Sequence, residues 1–307
     1  SPVSSSGAAL EIVIAGGSGL DEIAEVLKKE GIIRSSGAFK IWSFFTGSAH
    51  VLKPGVYAFG PDLGTPEIIS ALVAGPPDTE VLVTEGKSIL DIESELSSRG
   101  LIAPGELINF DIAALKFDYP FLTGAKTLEG FLFPDTYRFS EGGSPESIIR
   151  KFLDAFKKKA LPFFPVKEGD NGFNYEALTL ASIIEREVPF FEDRAIVAGI
   201  LEKRLSIGMP LQVDATVLYV ACAYRYDGCR ELTERDFRVK SSYNTYLYKG
   251  LPPTPIANPG IEAIKAALNS TPSPFLYYLS DPETRRTVFS RTLEGHARNK
   301  TLYLRKK

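Results

Sequence analysis

The sequence predicts an α+β fold: tandem small strand-helix modules followed by a mixed α/β domain. Two observations lead to this prediction, an ungapped internal repeat in the first half of the chain and helical periodicity in the second half. The chain has 307 residues, 44% of them hydrophobic, so it can bury a sizeable core and fold without cross-links. We expect a disordered leader at residues 1–10, modules at 11–79 and 80–160, and the mixed domain at 161–307.

The repeat relates residues 11–33 to residues 80–102, which align without a gap. Each copy opens with a short apolar strand, continues with a Ser-x-x-Asp signal for a helix N-terminus, and ends its helix at a glycine. The signals are Ser18 with Asp21 and Ser88 with Asp91, and the glycines are Gly31 and Gly100. Further identities are Glu11 and Glu80, Gly17 and Gly86, Ile23 and Ile92, Leu27 and Leu96, Ile33 and Ile102. We infer an internal duplication.

The likeness extends further along both copies. Leu52–Tyr57 is echoed by Leu128–Phe131, and the helix-opening Thr65-Pro66-Glu67 by Ser144-Pro145-Glu146. Small strand-helix units of this kind resemble LysM-like modules, which bind N-acetylglucosamine polymers in extracytoplasmic proteins. An equally good interpretation is that the duplicated units only brace the domain that follows.

In the second half, residues 173–189 read as one helix, which Asn174 caps and Pro189 ends. Helical periodicity resumes at residues 195–201 and 261–268, and the stretch near Val217–Tyr219 suggests a strand. Residues 275–279 and 287–289 are expected to form a closing hairpin. The proline-rich run Leu251–Pro259 cannot form a helix or a central strand, so we expect a rigid loop there.

Composition excludes several classes of function. The net charge of -3 combines 35 basic with 38 acidic residues without a long basic run, so no nucleic-acid partner is expected. No apolar stretch approaches the roughly 18 residues that a membrane span needs, although a signal or anchor segment could precede Ser1.

Cysteine and histidine are rare in this chain. Cys222 and Cys229 either form a local disulfide, which would fit an oxidising compartment, or remain two thiols. His50 and His296 are far apart and make a poor zinc ligand set with these cysteines, so we expect no metal and no cofactor. A Ser-His-Asp hydrolase is disfavoured, because no Gly-x-Ser-x-Gly elbow is present.

Glu185 lies on the shoulder of the apolar stripe of the helix at residues 173–189. Loss of hydration there raises the pKa of a carboxyl group, which is what a general acid needs near neutral pH. The alternative is that Glu185 and Glu187 are ordinary boundary charges, with Glu185 paired to a nearby basic residue. Periodicity alone favours that alternative.

Five sequence segments favour a catalytic role for Glu185 over that of a boundary charge. They are Leu128–Tyr137, Leu180–Glu187, Gly208–Tyr219, Ser242–Tyr246 and Gly250–Gly260. In this order they resemble the MltG/YceG-like family of endolytic murein transglycosylases, and the resemblance covers nearly the whole chain. In that family the glutamate that matches Glu185 is the catalytic acid and base.

The resemblance implies cleavage of the β-1,4 bond between N-acetylmuramic acid and N-acetylglucosamine without net addition of water. Glu185 would give a proton to the glycosidic oxygen and take one from the C6 hydroxyl, which closes on C1 to leave a 1,6-anhydro end. A muramidase-type hydrolase remains an alternative, because Asp214 offers the second carboxylate that hydrolysis needs. A non-catalytic peptidoglycan-binding protein is a third hypothesis.

Further residues are candidates for binding the glycan. Gln212, Asp214 and Thr216 alternate as on one face of an extended segment, and Gln212 and Asn244 suit acetamido groups. Tyr219 or Tyr246 could lie against a sugar ring, with core packing an equally good interpretation. Glu129 and Tyr137 would join the cleft if their turn-rich segment folds against the helix that carries Glu185.

The resemblance also implies a location and partners. Family members are held in the inner membrane by one N-terminal helix, which is absent from this chain, with the remainder outside the membrane or in the periplasm. They work near penicillin-binding synthases and terminate nascent glycan strands. No docking surface for such a synthase is evident in the sequence.

Overall fold

A computed structural model describes residues 9–140, 142–165 and 173–304. The first strand, β1 (Leu10–Ile14), already begins inside the expected leader, whose residues 1–8 lie outside the described residues. The described parts of residues 1–81, 96–104 and 136–148 form one compact unit, and residues 82–95, 105–135 and the described parts of 149–307 form a second. The expected mixture of helices and strands is confirmed.

The first unit begins with β1, α1 (Leu20–Lys29), α2 (Ser36–Phe45), β2 (Gly55–Phe59) and α3 (Thr65–Ala74). β1 pairs with β2 in antiparallel register, with Ile12 opposite Tyr57. Ile12 and Ile14 are buried while Val13 is exposed, which is the alternation of a strand with one face on a core. That core also contains Leu27, Phe39, Phe59, Ile68 and Leu72.

The two copies of the repeat start their first helices at equivalent positions, but with different N-cap residues. In the second copy the predicted signal is confirmed, because Ser88 N–H donates to Asp91 Oδ2 over 3.0 Å and Asp91 N–H to Ser88 Oγ over 3.2 Å. In the first copy Gly19 takes the N-cap position, and its N–H donates to Glu22. The prediction for Ser18 was therefore wrong, because the ungapped alignment places Gly19 and Glu22, not Ser18 and Asp21, opposite Ser88 and Asp91.

The second half of the repeat consists of β3 (Asp78–Val83), α4 (Ile89–Ser98), β4 (Asp135–Ser140) and α5 (Pro145–Lys159). β3 pairs with β4, as β1 pairs with β2, so β4 is the counterpart of β2 in the second copy of the repeat. The sequence had instead suggested Leu128–Phe131 as that counterpart. Pro54–Phe59 and Pro134–Phe139 share a Pro-x-x-Tyr-x-Phe pattern. Tyr137 stacks on Phe139 at 5.6 Å, as Tyr57 does on Phe59. Tyr137 is a buried strand residue, which corrects its prediction as a sugar contact.

The second unit is built around α6 (Tyr175–Glu187), which packs against α7 (Phe191–Ser206), α8 (Asp214–Ala221) and α9 (Ile261–Leu268). The Asn174 side chain caps α6 by accepting from Ala177 N–H over 3.0 Å, and the helix ends before Pro189, as predicted. Phe121, Phe131, Phe156, Phe164 and Phe173 form an aromatic cluster in the same unit.

Two further predictions for this unit are confirmed and one was wrong. The closing hairpin consists of β5 (Tyr277–Ser280) and β6 (Thr287–Ser290), followed by α10 (Leu293–Tyr303), and residues 251–259 form a loop. The strand expected at Val217–Tyr219 is helix α8. Its first turn is fixed by Glu187, whose Oε1 accepts from Ala215 N–H over 3.0 Å, and this long-range contact overrides the local β propensity.

Within the described residues, no helix has both the length and the apolar character needed to cross a bilayer.

Candidate active site

Glu185 lies in the last turn of α6, and its carboxylate is held from two sides. Arg194 of α7 donates from Nη2 to Oε1 over 2.7 Å and from Nη1 to Oε2 over 3.3 Å. The N–H of Gly260 donates to Oε2 over 2.9 Å. The side chains of Glu185 and Arg194 are each only 5% exposed. The arrangement orients the Glu185 carboxyl group, because a bidentate guanidinium and a backbone donor hold its two oxygens.

Arg194 is itself fixed. Its Nε donates to the carbonyl of Val188 over 3.0 Å, and its guanidinium lies 4.8 Å from the ring centroid of Phe191. The short turn at Pro189 brings α7 back against the end of α6, which places a cation beside Glu185. The sequence indicates pairing of Glu185 with a basic residue only as an alternative and does not identify Arg194, because no periodicity connects positions on two different helices.

A second carboxyl group, Glu85, lies in the loop after β3 and was not identified from the sequence. Partial burial raises the pKa of Glu85, and the nearby charge of Glu185 raises it further, while Arg194 acts in the opposite direction. A Cβ atom at Gly260 would overlap the Glu85 carboxylate. Because position 260 is a glycine, the carboxyl groups of Glu85 and Glu185 can both lie next to it.

Glu129 is a buried glutamate whose carboxylate accepts hydrogen bonds from three other segments of the chain. Its carboxylate accepts from Ile89 N–H at 3.1 Å, from the Tyr219 hydroxyl at 2.8 Å and from Asn258 Nδ2 at 2.9 Å. Burial raises the pKa of Glu129 to about 8, and these donors act against that shift. Glu129 and Tyr219 are thus occupied by each other in the interior, 1% and 4% exposed, which corrects their prediction as glycan contacts.

The oxygen and the nitrogen of the Asn258 side-chain amide each make two hydrogen bonds within this network. Oδ1 accepts from the N–H groups of Gly130 and Leu132, both at 2.9 Å, and Nδ2 donates to Glu129 and to the carbonyl of Lys87. The side chain is fully buried. Asn258 therefore joins the segments that contain Lys87, Glu129 and Asn258 itself, a role that no local sequence pattern indicates.

Two more predicted glycan contacts lie in the interior. Thr216 Oγ1 bonds to the carbonyl of Val213 over 2.7 Å and to Thr245 Oγ1 over 2.9 Å. Asn244 Nδ2 donates to the carbonyls of Phe237 and Val239 over 3.0 and 2.9 Å. Both side chains are therefore bonded within the protein, to backbone carbonyls and to Thr245.

Gln212, Asp214 and Tyr246 line a cleft of about 580 Å³. Gln212 has a φ of 51°, a left-handed conformation, and both Gln212 and Asp214 are exposed. The Tyr246 hydroxyl donates to Asp214 Oδ1 over 2.5 Å. The cleft is also lined by Arg186, Glu187, Arg204, Tyr277, Tyr278 and His296. These three predicted contacts therefore remain candidates for binding a polar ligand.

Glu187 makes the stability of this unit depend on pH. Burial raises the pKa of Glu187 to about 7, from an ordinary value of 4.5. Between these values the folded state binds more proton than the unfolded chain, so stability falls as pH rises from 4.5 through 7. Glu187→Gln cannot ionise but still accepts from Ala215 N–H. We expect it to match the unmutated protein in urea unfolding at pH 4 and to be more stable by about 2–3 kcal/mol at pH 8. A difference that does not grow with pH would contradict this assignment.

Cys222 and Cys229 form a disulfide in the segment after α8, with Cα atoms 5.6 Å apart. Among the described residues, no group of three or more His, Cys, Asp or Glu side chains is arranged to hold a metal ion.

Known proteins with similar sequences and folds support the resemblance seen in the motifs. The YceG-like family matches residues 12–301. The endolytic murein transglycosylase of Bacillus subtilis is 31% identical, over 97% of this chain and 86% of that protein. The one of Streptococcus pneumoniae serotype 2 is 28% identical, over 92% of this chain and 56% of that protein. A crystal structure of a yceG-like protein from Listeria monocytogenes has a TM-score of 0.61 and 28% identity, over 96% of this chain and all of that one. This chain belongs to the YceG-like family.

Proposed function

We propose that this chain is an endolytic murein transglycosylase that cleaves peptidoglycan glycan strands. The observation that carries the proposal is Glu185, a carboxylate oriented by Arg194 and Gly260 on the helix that the family motifs select. The names of its bacterial relatives support the same activity.

The proposed reaction breaks the bond between C1 of N-acetylmuramic acid and the O4 of N-acetylglucosamine. The glycosidic oxygen gains a proton as it leaves, and the C6 hydroxyl loses a proton as its oxygen bonds to C1. The product is a 1,6-anhydro end, and no water is consumed. Glu185 gives a proton to the glycosidic oxygen and takes the proton of the C6 hydroxyl, so one carboxyl group serves as both acid and base.

The glycan contacts in this proposal come from the cleft that contains Gln212, Asp214 and Tyr246. Amide, carboxylate and phenol groups can bond sugar hydroxyls and acetamido groups, and tyrosine rings can lie against a sugar face. Glycan binding by the LysM-like modules is a further part of the proposal. So are attachment to the inner membrane, a position in the cell envelope near penicillin-binding synthases, and termination of nascent strands.

A muramidase-type hydrolase is the second candidate, and Glu85 is the observation that favours it. Hydrolysis usually needs a second carboxylate to activate water or to act as a nucleophile. Glu85 lies beside Glu185, whereas Asp214 is bonded to Tyr246 in the cleft.

Mass spectrometry of isolated peptidoglycan after incubation with the protein tests these candidates. Muramoyl ends that are 18 Da lighter than reducing ends are expected if the transglycosylase proposal is correct. Reducing ends would assign the chain to the hydrolases. Unchanged glycan from several preparations would favour a non-catalytic peptidoglycan-binding protein.

A further inference from the structure

Arg204 of α7 is a buried cation that forms no ion pair within the described residues. It is 5% exposed, and it lines the cleft of about 580 Å³ described above. Its Nε donates to the carbonyl of Leu276 over 2.7 Å and its Nη1 to the carbonyl of Leu211 over 2.6 Å, whereas Nη2 makes no hydrogen bond in the described part of the chain. Carbonyls orient a guanidinium but do not neutralise it, and an unbalanced buried charge is costly. Arg204 therefore offers a fixed positive charge to an anion in the cleft.

A second cation, Lys300 of α10, lies near Arg204. The Arg204 guanidinium lies 5.1 Å from the ring centroid of Tyr277, and that ring stacks on the ring of His296 at 5.3 Å. His296 and Lys300 are four positions apart on α10, so they share one face of the helix. Burial lowers the pKa of His296, and the positive charges of Lys300 and Arg204 lower it further. Both cations therefore lie close to one histidine, which is itself neutral at neutral pH.

Positive charge prevails in the cleft. Arg186 is a third cation in its lining, with its guanidinium 3.8 Å from the ring centroid of Tyr226. The acids are Asp214, whose Oδ1 accepts from the Tyr246 hydroxyl, and Glu187, whose pKa burial raises to about 7. Among the described residues that line the cleft, three cations thus face one ionised carboxylate and one that is partly protonated at neutral pH. The cleft therefore favours an anionic ligand over a neutral one.

Arg186 also connects the cleft with the catalytic end of α6. It follows Glu185 directly, and its Nη1 donates to the carbonyl of Gly86 over 3.3 Å. A Cβ atom at Gly86 would lie 3.4 Å from Arg186 Nη1 and 3.6 Å from Glu185 Cγ. One glycine is thus next to a residue of the cleft and next to Glu185. A glycan strand, which is many sugars long, can therefore contact both.

The guanidinium and ammonium groups of the cleft suit a carboxylate ligand, because both donate charge-assisted hydrogen bonds to it. The glycan strand of the proposed reaction carries carboxylates in two places. One is the lactyl group of N-acetylmuramic acid when no peptide is attached, and the other is the stem peptide when it is. Polymers of N-acetylglucosamine alone carry none. A cleft that binds carboxylate would therefore distinguish murein from such neutral glycans.

We propose that Arg204 and Lys300 form a subsite that binds a carboxylate of the glycan strand, from either the lactyl group or the stem peptide. The proposal rests on the cleavage function proposed above and assigns its cleft an anionic substrate. The bound carboxylate balances the charge of Arg204, and the sugar rings contact Gln212, Asp214 and Tyr246.

Calorimetric titration with matched oligosaccharides tests the subsite without depending on cleavage. Every protein in the series carries Glu185→Gln, so that bound glycan stays intact. The first probe pair is a tetrasaccharide of alternating N-acetylglucosamine and N-acetylmuramic acid, with its lactyl carboxylates free or converted to carboxamides. The second pair is the same tetrasaccharide with stem peptides, whose carboxylates are free or amidated. In at least one pair the charged member is expected to bind about tenfold tighter than the neutral one, and that pair identifies the source of the carboxylate.

Three substitutions show whether the cleft causes this preference. Lys300→Gln and Arg204→Lys are each expected to reduce it from about tenfold to about threefold or less. Arg298→Gln removes an exposed cation that pairs with Glu294 on the same helix, and it is expected to leave the preference unchanged. Because Arg204 also donates to carbonyls, circular dichroism must show that Arg204→Lys is folded. Lys300 is exposed, so Lys300→Gln decides the result if Arg204→Lys is not folded.

Equal affinities within both probe pairs, or no binding of any probe, would overturn the subsite. A preference that Lys300→Gln and a folded Arg204→Lys both leave unchanged would overturn it as well. The mass spectrometry described above tests the proposed function separately. A protein that binds the charged tetrasaccharide but cleaves no peptidoglycan would lose the proposed reaction and keep the subsite, whereas cleavage without any preference for charge would do the reverse.

Discussion

Replacing Glu185 by glutamine is expected to reduce glycan cleavage by about 10³-fold or more. Glutamine keeps the size of the side chain and still accepts from Gly260 N–H, but it cannot take a proton from the C6 hydroxyl. The measurement is the release of muropeptides from isolated peptidoglycan, followed by mass spectrometry over a fixed time course.

Two controls make this result specific. Glu176→Gln changes an exposed glutamate in the first turn of the same helix, and it is expected to retain full activity. Because Glu185→Gln leaves the buried Arg194 without its ionic partner, circular dichroism must show that the variant is folded at the assay temperature. A folded Glu185→Gln variant that keeps more than a tenth of the activity would remove Glu185 from the chemistry.

Replacing Asn258 by alanine is expected to lower the free energy of unfolding by about 3–5 kcal/mol. The substitution leaves the N–H groups of Gly130 and Leu132 without their acceptor, and it takes one donor from Glu129. All of these groups are buried, so water cannot replace the lost bonds. Urea unfolding at neutral pH measures the change.

Asn269→Ala is the matched control for this prediction. Asn269 follows α9, and its Nδ2 makes one exposed bond to the carbonyl of Lys265. Its loss is expected to change the free energy of unfolding by less than about 0.5 kcal/mol. If Asn258→Ala were as mild as this control, the network around Glu129 would not hold the unit together.

The comparison of Glu185 with its neighbours explains why the site was only partly predictable. A helical wheel and a family motif both select Glu185, because they use residues on a single helix. The periodicity of α6 carries no sign of Arg194, which α7 brings to within 2.7 Å of Glu185. Glu85 and Asn258 carry no local signal either, since their partners are distant in the sequence.

The predicted glycan contacts divide in the same way. Gln212, Asp214 and Tyr246 line a cleft, whereas Glu129, Thr216, Tyr219 and Asn244 are bonded within the interior. Polar residue type alone does not distinguish the two groups. Tyr137 is a special case, because the repeat itself contained the signal: its counterpart Tyr57 is a core residue of a strand.

The sequence by itself determined the features that depend on neighbours along the chain. The bounds of α6, the cap at Asn174, the duplicated strand-helix order and the glycine stops all follow from periodicity, capping and turn chemistry within a few residues. Only the tertiary structure decided the rest. Helix α8 depends on Glu187, which is 28 positions from Ala215, and the network of Asn258 depends on Glu129, which is 129 positions away. Such contacts form when distant segments pack and exclude water, and a buried polar group must then find a partner wherever the fold provides one.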